Sequence, residues 1–241
     1  MVSRDGVFGI LIGATVGTLL LVPAHGSAQD PLSIQCAAIE VLSTSPLNDL
    51  TRCAETGYAE AQYVLGLRYA TGVGVDPDDE EAVGWYLLAA EQEYVEAHYN
   101  LGIMYGTGRG VMQDDAEAVR RYRLAAEQGH AVAQLNLGAM YGNGEGAPED
   151  DVEAARWYRL AAEQGNAIAQ ANLGLKYTNG DGVPKDLVLA HLWHSLSAAQ
   201  GDEFAETSKQ IIERRMTREQ IAEAERLSRE WTEAHPQDGG N

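Results

Sequence analysis

The chain has 241 residues, of which 45% are apolar, so it is long enough to bury one substantial hydrophobic core. Its formal net charge is −19, and the acidic residues are spread along the sequence rather than gathered in one tail. A surface of that sign repels nucleic acids and anionic membranes, which leaves a neutral or basic protein or peptide, or a sugar, as a partner.

The first 28 residues are predicted to be a secretory signal peptide. Arg4 precedes an apolar run from Val7 to Val22, Pro23 ends the run, and small residues lead to a cleavage site after Ala28. An uncleaved membrane anchor is the alternative, but the run is short for a span of about 20 residues. We therefore expect an exported chain, periplasmic or extracellular, without membrane attachment after cleavage.

Residues 29–57 are predicted to form an N-terminal capping hairpin of two helices, over 32–42 and 47–56. Cys36 and Cys53 would then lie at similar heights on facing helices. Because an exported chain meets an oxidising environment, we expect a disulfide between them. Closing that loop would stabilise the fold by roughly 3 kcal/mol. Two buried free thiols are the alternative.

Between residues 58 and 201 one pattern returns every 36 residues, which is typical of a repeat architecture. Each unit begins with a predicted helix whose apolar residues recur every three or four positions around a Leu-Gly pair. A glycine-rich loop follows, and a second helix is predicted to begin at an aspartate that caps its free backbone amides. The Leu-Gly pairs are Leu65-Gly66, Leu101-Gly102, Leu137-Gly138 and Leu173-Gly174, and the capping residues are Asp78, Asp114, Asp150 and Asp186.

The motifs Ala-x-Ala-Gln-x-x-Leu-Gly-x-x-Tyr, Gly-x-Gly-Val and Ala-Ala-x-Gln-Gly resemble those of the Sel-one-like repeat family, a relative of the tetratricopeptide repeat. The resemblance covers most of residues 57–201, with local departures such as Glu93 for the closing glycine, His98 for a glutamine and Arg121 for a tryptophan. It implies an all-α fold, an α/α solenoid of antiparallel helix pairs stacked into a superhelix with a concave inner face.

Residues 202–235 are predicted to form a C-terminal capping helix pair, over 203–215 and 218–234. Thr217 and Gln220 have the spacing of a capping box. The apolar residues of the last helix form one stripe, namely Ile221, Ala224, Leu227 and Trp231. Residues 236–241 are predicted to be a disordered tail.

By resemblance to tetratricopeptide arrays, the second, fifth and ninth residues of each first helix point into the concave groove and contact a partner. These are Glu60, Tyr63, Leu67, Glu96, Tyr99, Ile103, Val132, Leu135, Ala139, Ile168, Ala171 and Leu175. The groove would be aromatic and acidic at its start and apolar further along, and open apolar surface marks a contact site. The alternative is that neighbouring units or the caps cover these side chains as ordinary core.

An amide ladder occupies one position of the first helices, at Asn100, Asn136 and Asn172. These side chains could bond the backbone of a bound peptide. They could instead satisfy groups within the array itself, which their recurrence with the framework residues favours.

No catalytic motif is present, and neither a cofactor nor a metal is expected. His191 and His194 stand three residues apart on a predicted helix, but no third ligand has matching spacing. Three functions stay open. The favoured one is an exported scaffold that binds a protein or peptide in its groove, as an envelope signalling or assembly regulator. A cell-wall or β-lactam-directed hydrolase is implied by resemblance to cysteine-rich relatives, whose recurrent cysteine pairs this chain lacks. A self-associating structural module is the third.

Overall fold

The computed structural model describes residue 36 and residues 45–235. The predicted signal peptide, most of the first helix of the capping hairpin and the predicted tail lie outside the described residues. Within the described part all regular secondary structure is helical, and loops connect the helices. The helices are α1 (Leu47–Glu55), α2 (Ala59–Thr71), α3 (Asp79–Ala90), α4 (Val95–Thr107), α5 (Asp115–Glu127), α6 (Ala131–Asn143), α7 (Asp151–Glu163), α8 (Ala167–Asn179), α9 (Leu187–Ala199), α10 (Glu203–Glu213) and α11 (Arg218–Ala234).

Four helix pairs form the repeat units: α2 with α3, α4 with α5, α6 with α7, and α8 with α9. The two helices of a unit pack closely on each other, and each second helix also packs on the first helix of the next unit. The predicted all-α solenoid of stacked helix pairs is therefore confirmed. None of the helices in the described part of the chain is long and apolar enough to cross a membrane.

The second helices begin where the sequence predicts. The carboxylate of each capping aspartate accepts hydrogen bonds from backbone N–H groups of the first turn, in α3, α5, α7 and α9. Those donors have no partner inside the helix, so each aspartate satisfies groups that would otherwise need water.

The Leu-Gly pairs hold the two helices of a unit together. The four leucines are fully buried. A Cβ placed on Gly138 would lie 2.8 Å from two ring carbons of Tyr158 on α7, closer than non-bonded carbons approach. The equivalent glycines meet Tyr86, Tyr122 and His194 in the same way. Glycine is thus required because an aromatic ring of the second helix lies flat against the first.

The second glycine of the loop in the second, third and fourth units lies against the backbone of the previous unit. A Cβ on Gly146 would lie 2.1 Å from the carbonyl oxygen of Asp115, the first residue of the previous unit's second helix. Gly110 and Gly182 approach Asp79 and Asp151 equally closely. Only a residue without a side chain permits this backbone contact.

Buried glutamines, each three residues before the leucine of its helix, link successive helices by hydrogen bonds. Gln134 donates to the carbonyl of Ala126 at 3.0 Å and accepts from Gln164 at 2.7 Å. Gln62 and Gln170 make the equivalent pairs of bonds. His98 interrupts the series, and neither of its ring nitrogens has a hydrogen-bond partner.

At the amino-terminal end α1 packs against α2, and a disulfide joins Cys53 of α1 to Cys36. The Cα atoms of the two cysteines are 5.5 Å apart. The predicted disulfide is therefore present.

At the carboxyl-terminal end α10 and α11 each pack against α9 and make few contacts with each other. The capping box of Thr217 and Gln220 is formed. Trp231 of α11 meets Trp193 of α9 edge to face, with ring centroids 6.4 Å apart. The last two helices therefore pack on α9 separately, and the capping role predicted for them stays a prediction.

Candidate partner-binding face

The second, fifth and ninth residues of the first helices form one surface, which we call the first-helix face. Among the predicted contact residues only Ala171 is buried, at 4% exposure, so it belongs to the core and not to the face. The others retain solvent access, most strongly Ile168 at 60%, with Leu67 and Val132 at 38% each. Glu96 is also exposed. The half-buried members are Glu60, Tyr63, Tyr99, Ile103, Leu135, Ala139 and Leu175.

Some residues of the face also contact the hydrophobic core. Tyr99, Ile103 and Leu135 pack against the central hydrophobic cluster while keeping one side accessible. The structure therefore combines the two alternatives that the sequence leaves open for these residues.

Aromatic packing brings in two residues that the sequence reasoning missed. Tyr63 lies 5.1 Å from Tyr94, centroid to centroid, and Tyr99 stacks on His130 at 4.5 Å. Tyr94 and His130 immediately precede the next first helix. Both residues occupy the repeat position directly before a first helix, and this shared position could have identified them from the sequence.

The amino-terminal part of the face is electronegative. Burial, and then the charge of Glu96, raises the pKa of Glu60 above its ordinary value. Burial raises the pKa of Tyr94 to about 12, with further contributions from Glu96, Glu60 and Tyr63. Neither glutamate forms an ion pair with any described residue. The two carboxylates therefore act on each other and on Tyr94, and no cation of the described residues pairs with either of them.

The asparagine ladder contacts tyrosines of the array. Asn100 lies near the Tyr63 hydroxyl and Asn136 lies near that of Tyr122, where each amide opposes the rise that burial causes in the pKa of the tyrosine. Asn172 is half-buried at the same repeat position. These contacts favour the framework role for Asn100 and Asn136 over direct contact with a partner.

Helix α10 extends the face beyond the four units, which the sequence reasoning also missed. It begins at Glu203, 36 residues after Ala167. Its second, fifth and ninth residues are consequently Phe204, Thr207 and Ile211. Phe204 is 55% exposed and Ile211 is 54% exposed. The continued 36-residue phase was a usable signal, hidden by the absence of a Leu-Gly pair.

One polar chain in the carboxyl-terminal region has the composition of a catalytic triad. The Ser195 hydroxyl lies 3.2 Å from Nδ1 of His191, and Nε2 of the same ring lies 2.9 Å from a carboxylate oxygen of Glu213. Ser195 stands inside α9, however, where backbone N–H groups bond to carbonyls one turn earlier and cannot stabilise an oxyanion. The arrangement instead ties α10 to α9.

The second histidine of α9 has different surroundings. His194 is fully buried against Gly174, and neither ring nitrogen has a hydrogen-bond partner. Burial lowers its pKa from 6.5 to about 4. Across the described residues no group of three or more metal-ligating side chains converges.

The geometry of the units matches a known repeat. The Sel1 repeat model aligns four times in succession, at residues 59–94, 95–130, 131–166 and 167–202. The chain belongs to the Sel1 repeat family. Proteins built from Sel1 repeats typically mediate protein–protein interactions. The search against curated proteins gives no match.

Two solved structures carry the same arrangement of Sel1 repeats. One is a protective antigen from uropathogenic Escherichia coli strains that displays an SLR fold, with 45% identity, a TM-score of 0.65, and coverage of 67% of this chain and 34% of that one. The other is a Sel1 repeat protein from Oxalobacter formigenes, with 39% identity, a TM-score of 0.62, and coverage of 66% and 47%. This chain thus spans less than half the length of either relative.

Proposed function

We propose that this Sel1 repeat chain is an exported scaffold whose first-helix face binds a protein or peptide, in the role of an envelope signalling or assembly regulator. The observation that carries the proposal is the row of accessible apolar and aromatic side chains along α2, α4, α6, α8 and α10. Ile168, Phe204 and Ile211 are each more than half exposed. Large apolar groups in one continuous row mark a contact surface.

Export is supported by the disulfide at the amino-terminal end of the array. Disulfides form and persist in oxidising compartments and are rare where thiols are kept reduced. The Cys36–Cys53 bond therefore fits a periplasmic or extracellular location. The signal-like order of residues 1–28 points the same way.

The charge of the chain restricts the partner class. With a formal net charge of −19, a neutral or basic partner meets attraction or no repulsion, whereas nucleic acid and anionic lipid are repelled. The hydrolase alternative gains nothing from the Ser195–His191–Glu213 chain, because a serine within a helix lacks free backbone donors for an oxyanion.

A pair of matched double variants tests the proposal. Val132→Glu with Ile168→Glu alters face residues that are 38% and 60% exposed. Leu88→Glu with Val152→Glu alters second-helix residues that are 42% and 62% exposed, and serves as the control. Both add the same charge at similar exposure.

Immobilised chain is incubated with envelope extract of the source organism, and the captured proteins are quantified. We expect the face variant to lose a partner that the wild-type chain and the control retain. Equal recovery by all three forms, or no reproducible partner, would refute binding through this face. Circular dichroism of both variants verifies that the helical fold is intact.

A further inference from the structure

The two ends of the first-helix face differ in chemistry. Near α2 and α4 the face carries the carboxylates of Glu60 and Glu96 beside the ring of Tyr63. Near α8 and α10 it carries Ile168, Phe204 and Ile211. Because the units stack in chain order, each second helix against the next first helix, the two regions lie at opposite ends of the array.

The acidic end has the features of a site for one basic side chain. The ring centroids of Tyr63 and Tyr94 are 5.1 Å apart, and the charges of both Glu60 and Glu96 act on Tyr94. A guanidinium or ammonium group placed there would pair with the carboxylates and lie over a ring face. No arginine or lysine of the described residues fills this role, since the ion pairs of those residues involve other carboxylates.

The apolar end lacks any charged partner at its contact positions. Ile168 of α8 is 60% exposed. Phe204 and Ile211 of α10 are 55% and 54% exposed. Thr207 lies between Phe204 and Ile211 in the same row and adds no charge. Apolar residues of a partner would remove all of this surface from water together.

We propose, on the basis of the proposed function, that the occupant of the first-helix face is a polypeptide segment of fixed composition, with its basic residue at one end of the face and its apolar residues at the other. It places an arginine or lysine between Glu60, Tyr63 and Tyr94, and apolar residues against Ile168, Phe204 and Ile211. About three helix spacings of about 10 Å separate the two ends. At about 3.3 Å per residue, an extended segment covers that distance with about nine residues.

Selection from random peptides tests this composition without a known partner. A phage library of peptides about twelve residues long, which exceeds the span by a few residues, is selected against the intact chain. We expect enriched sequences to carry a basic residue about nine positions from an apolar pair. Enriched peptides are then synthesised with a fluorophore, and their affinities are measured by anisotropy.

Variants that replace glutamate by glutamine test where the basic residue of the peptide binds. Glu60→Gln with Glu96→Gln is expected to weaken the enriched peptides about tenfold, since it removes both carboxylates from the basic group. Glu127→Gln with Glu163→Gln removes two exposed charges from the ends of second helices, and is expected to change affinity less than about twofold. At the other end, Ile168→Ser with Phe204→Ser should weaken the same peptides, whereas Leu88→Ser with Val152→Ser should not.

The outcomes separate this inference from the proposed function. Peptides that need Ile168 and Phe204 but carry no basic residue, or that ignore the loss of Glu60 and Glu96, would overturn the inference and leave a binding face in place. Peptides indifferent to every face variant would overturn both. Failure to enrich any peptide also counts against the inference, because the library covers the required length.

Discussion

The fit of glycine against tyrosine inside each unit makes a sharp prediction for Gly138→Ala. The added Cβ would lie 2.8 Å from Cδ1 and Cε1 of the Tyr158 ring and 3.2 Å from the carbonyl oxygen of Ala154. Tyr158 is only 7% exposed, so its ring has little room to retreat, and the Ala154 contact is backbone. Overpacking of this kind costs about 1–3 kcal/mol, or more where backbone resists.

Alanine also recovers about 1 kcal/mol of helix propensity relative to glycine. The expected net effect is a loss of about 1–2 kcal/mol in the free energy of unfolding, because the overpacking term is the larger. For a chain of this size that corresponds to a fall of about 2–8 °C in Tm, measured by far-UV circular dichroism.

Gly142→Ala in the same helix is the matched control. Its Cβ would lie 3.6 Å from the Cβ of Ala154, an ordinary contact, so only the helix-propensity gain of up to about 1 kcal/mol remains. The two substitutions should therefore shift stability in opposite directions. Combining Gly138→Ala with Tyr158→Leu, which removes the ring, should recover at least about 1 kcal/mol of coupling in a double-mutant cycle. Equal signs for the two alanine variants, or no coupling with Tyr158, would refute the contact as the reason for glycine.

Three further predictions concern the places where single units depart from the repeat. Glu93 has φ of 60° where Gly129 has φ of 92°, so Glu93→Gly should stabilise and Gly129→Glu should destabilise, each by about 1 kcal/mol in urea unfolding; a shift of the same sign in both would contradict backbone strain as the cause. His98→Gln should stabilise by about 1 kcal/mol, because a glutamine there restores the buried hydrogen bonds of the other units; unchanged stability would mean that the histidine costs nothing. His194 has its pKa lowered from 6.5 to about 4, so its neutral form stabilises the fold fully above pH 6.5, and that stability is lost as pH falls toward about 4. Lowering the pH from 7 to about 5 should therefore reduce the free energy of unfolding of the wild-type chain by about 2 kcal/mol more than that of His194→Tyr, and parallel pH profiles would refute this.

The fold was predictable because its determinants are local and repeated. The capping aspartates, the Leu-Gly pairs and the apolar spacing each act within one unit, and four copies in phase leave little ambiguity. The disulfide was predictable for a similar reason, since Cys36 and Cys53 stand on either side of a short link that the sequence predicts between two helices.

The composition of the face was only partly predictable, because it depends on how neighbouring units are rotated. Ala171 is buried and Tyr99 stacks on His130, and neither result can be obtained from the residue spacing within one helix. The contribution of α10 was missed because a first helix was identified by its Leu-Gly pair. The places of Phe204 and Ile211 on the face follow from the 36-residue repeat phase alone.

The backbone contact of Gly146 with Asp115 has a consequence for how such chains can vary in length. Neither group in that contact is a side chain, so the contact itself does not depend on which other residues the two units carry. Any unit that keeps the loop glycine can form it with its neighbour, whereas the glutamine bonds and the Arg109–Asp79 ion pair across the same junctions depend on sequence. The two longer relatives, of which this chain covers 34% and 47%, share the repeat that allows this contact to recur in a longer chain.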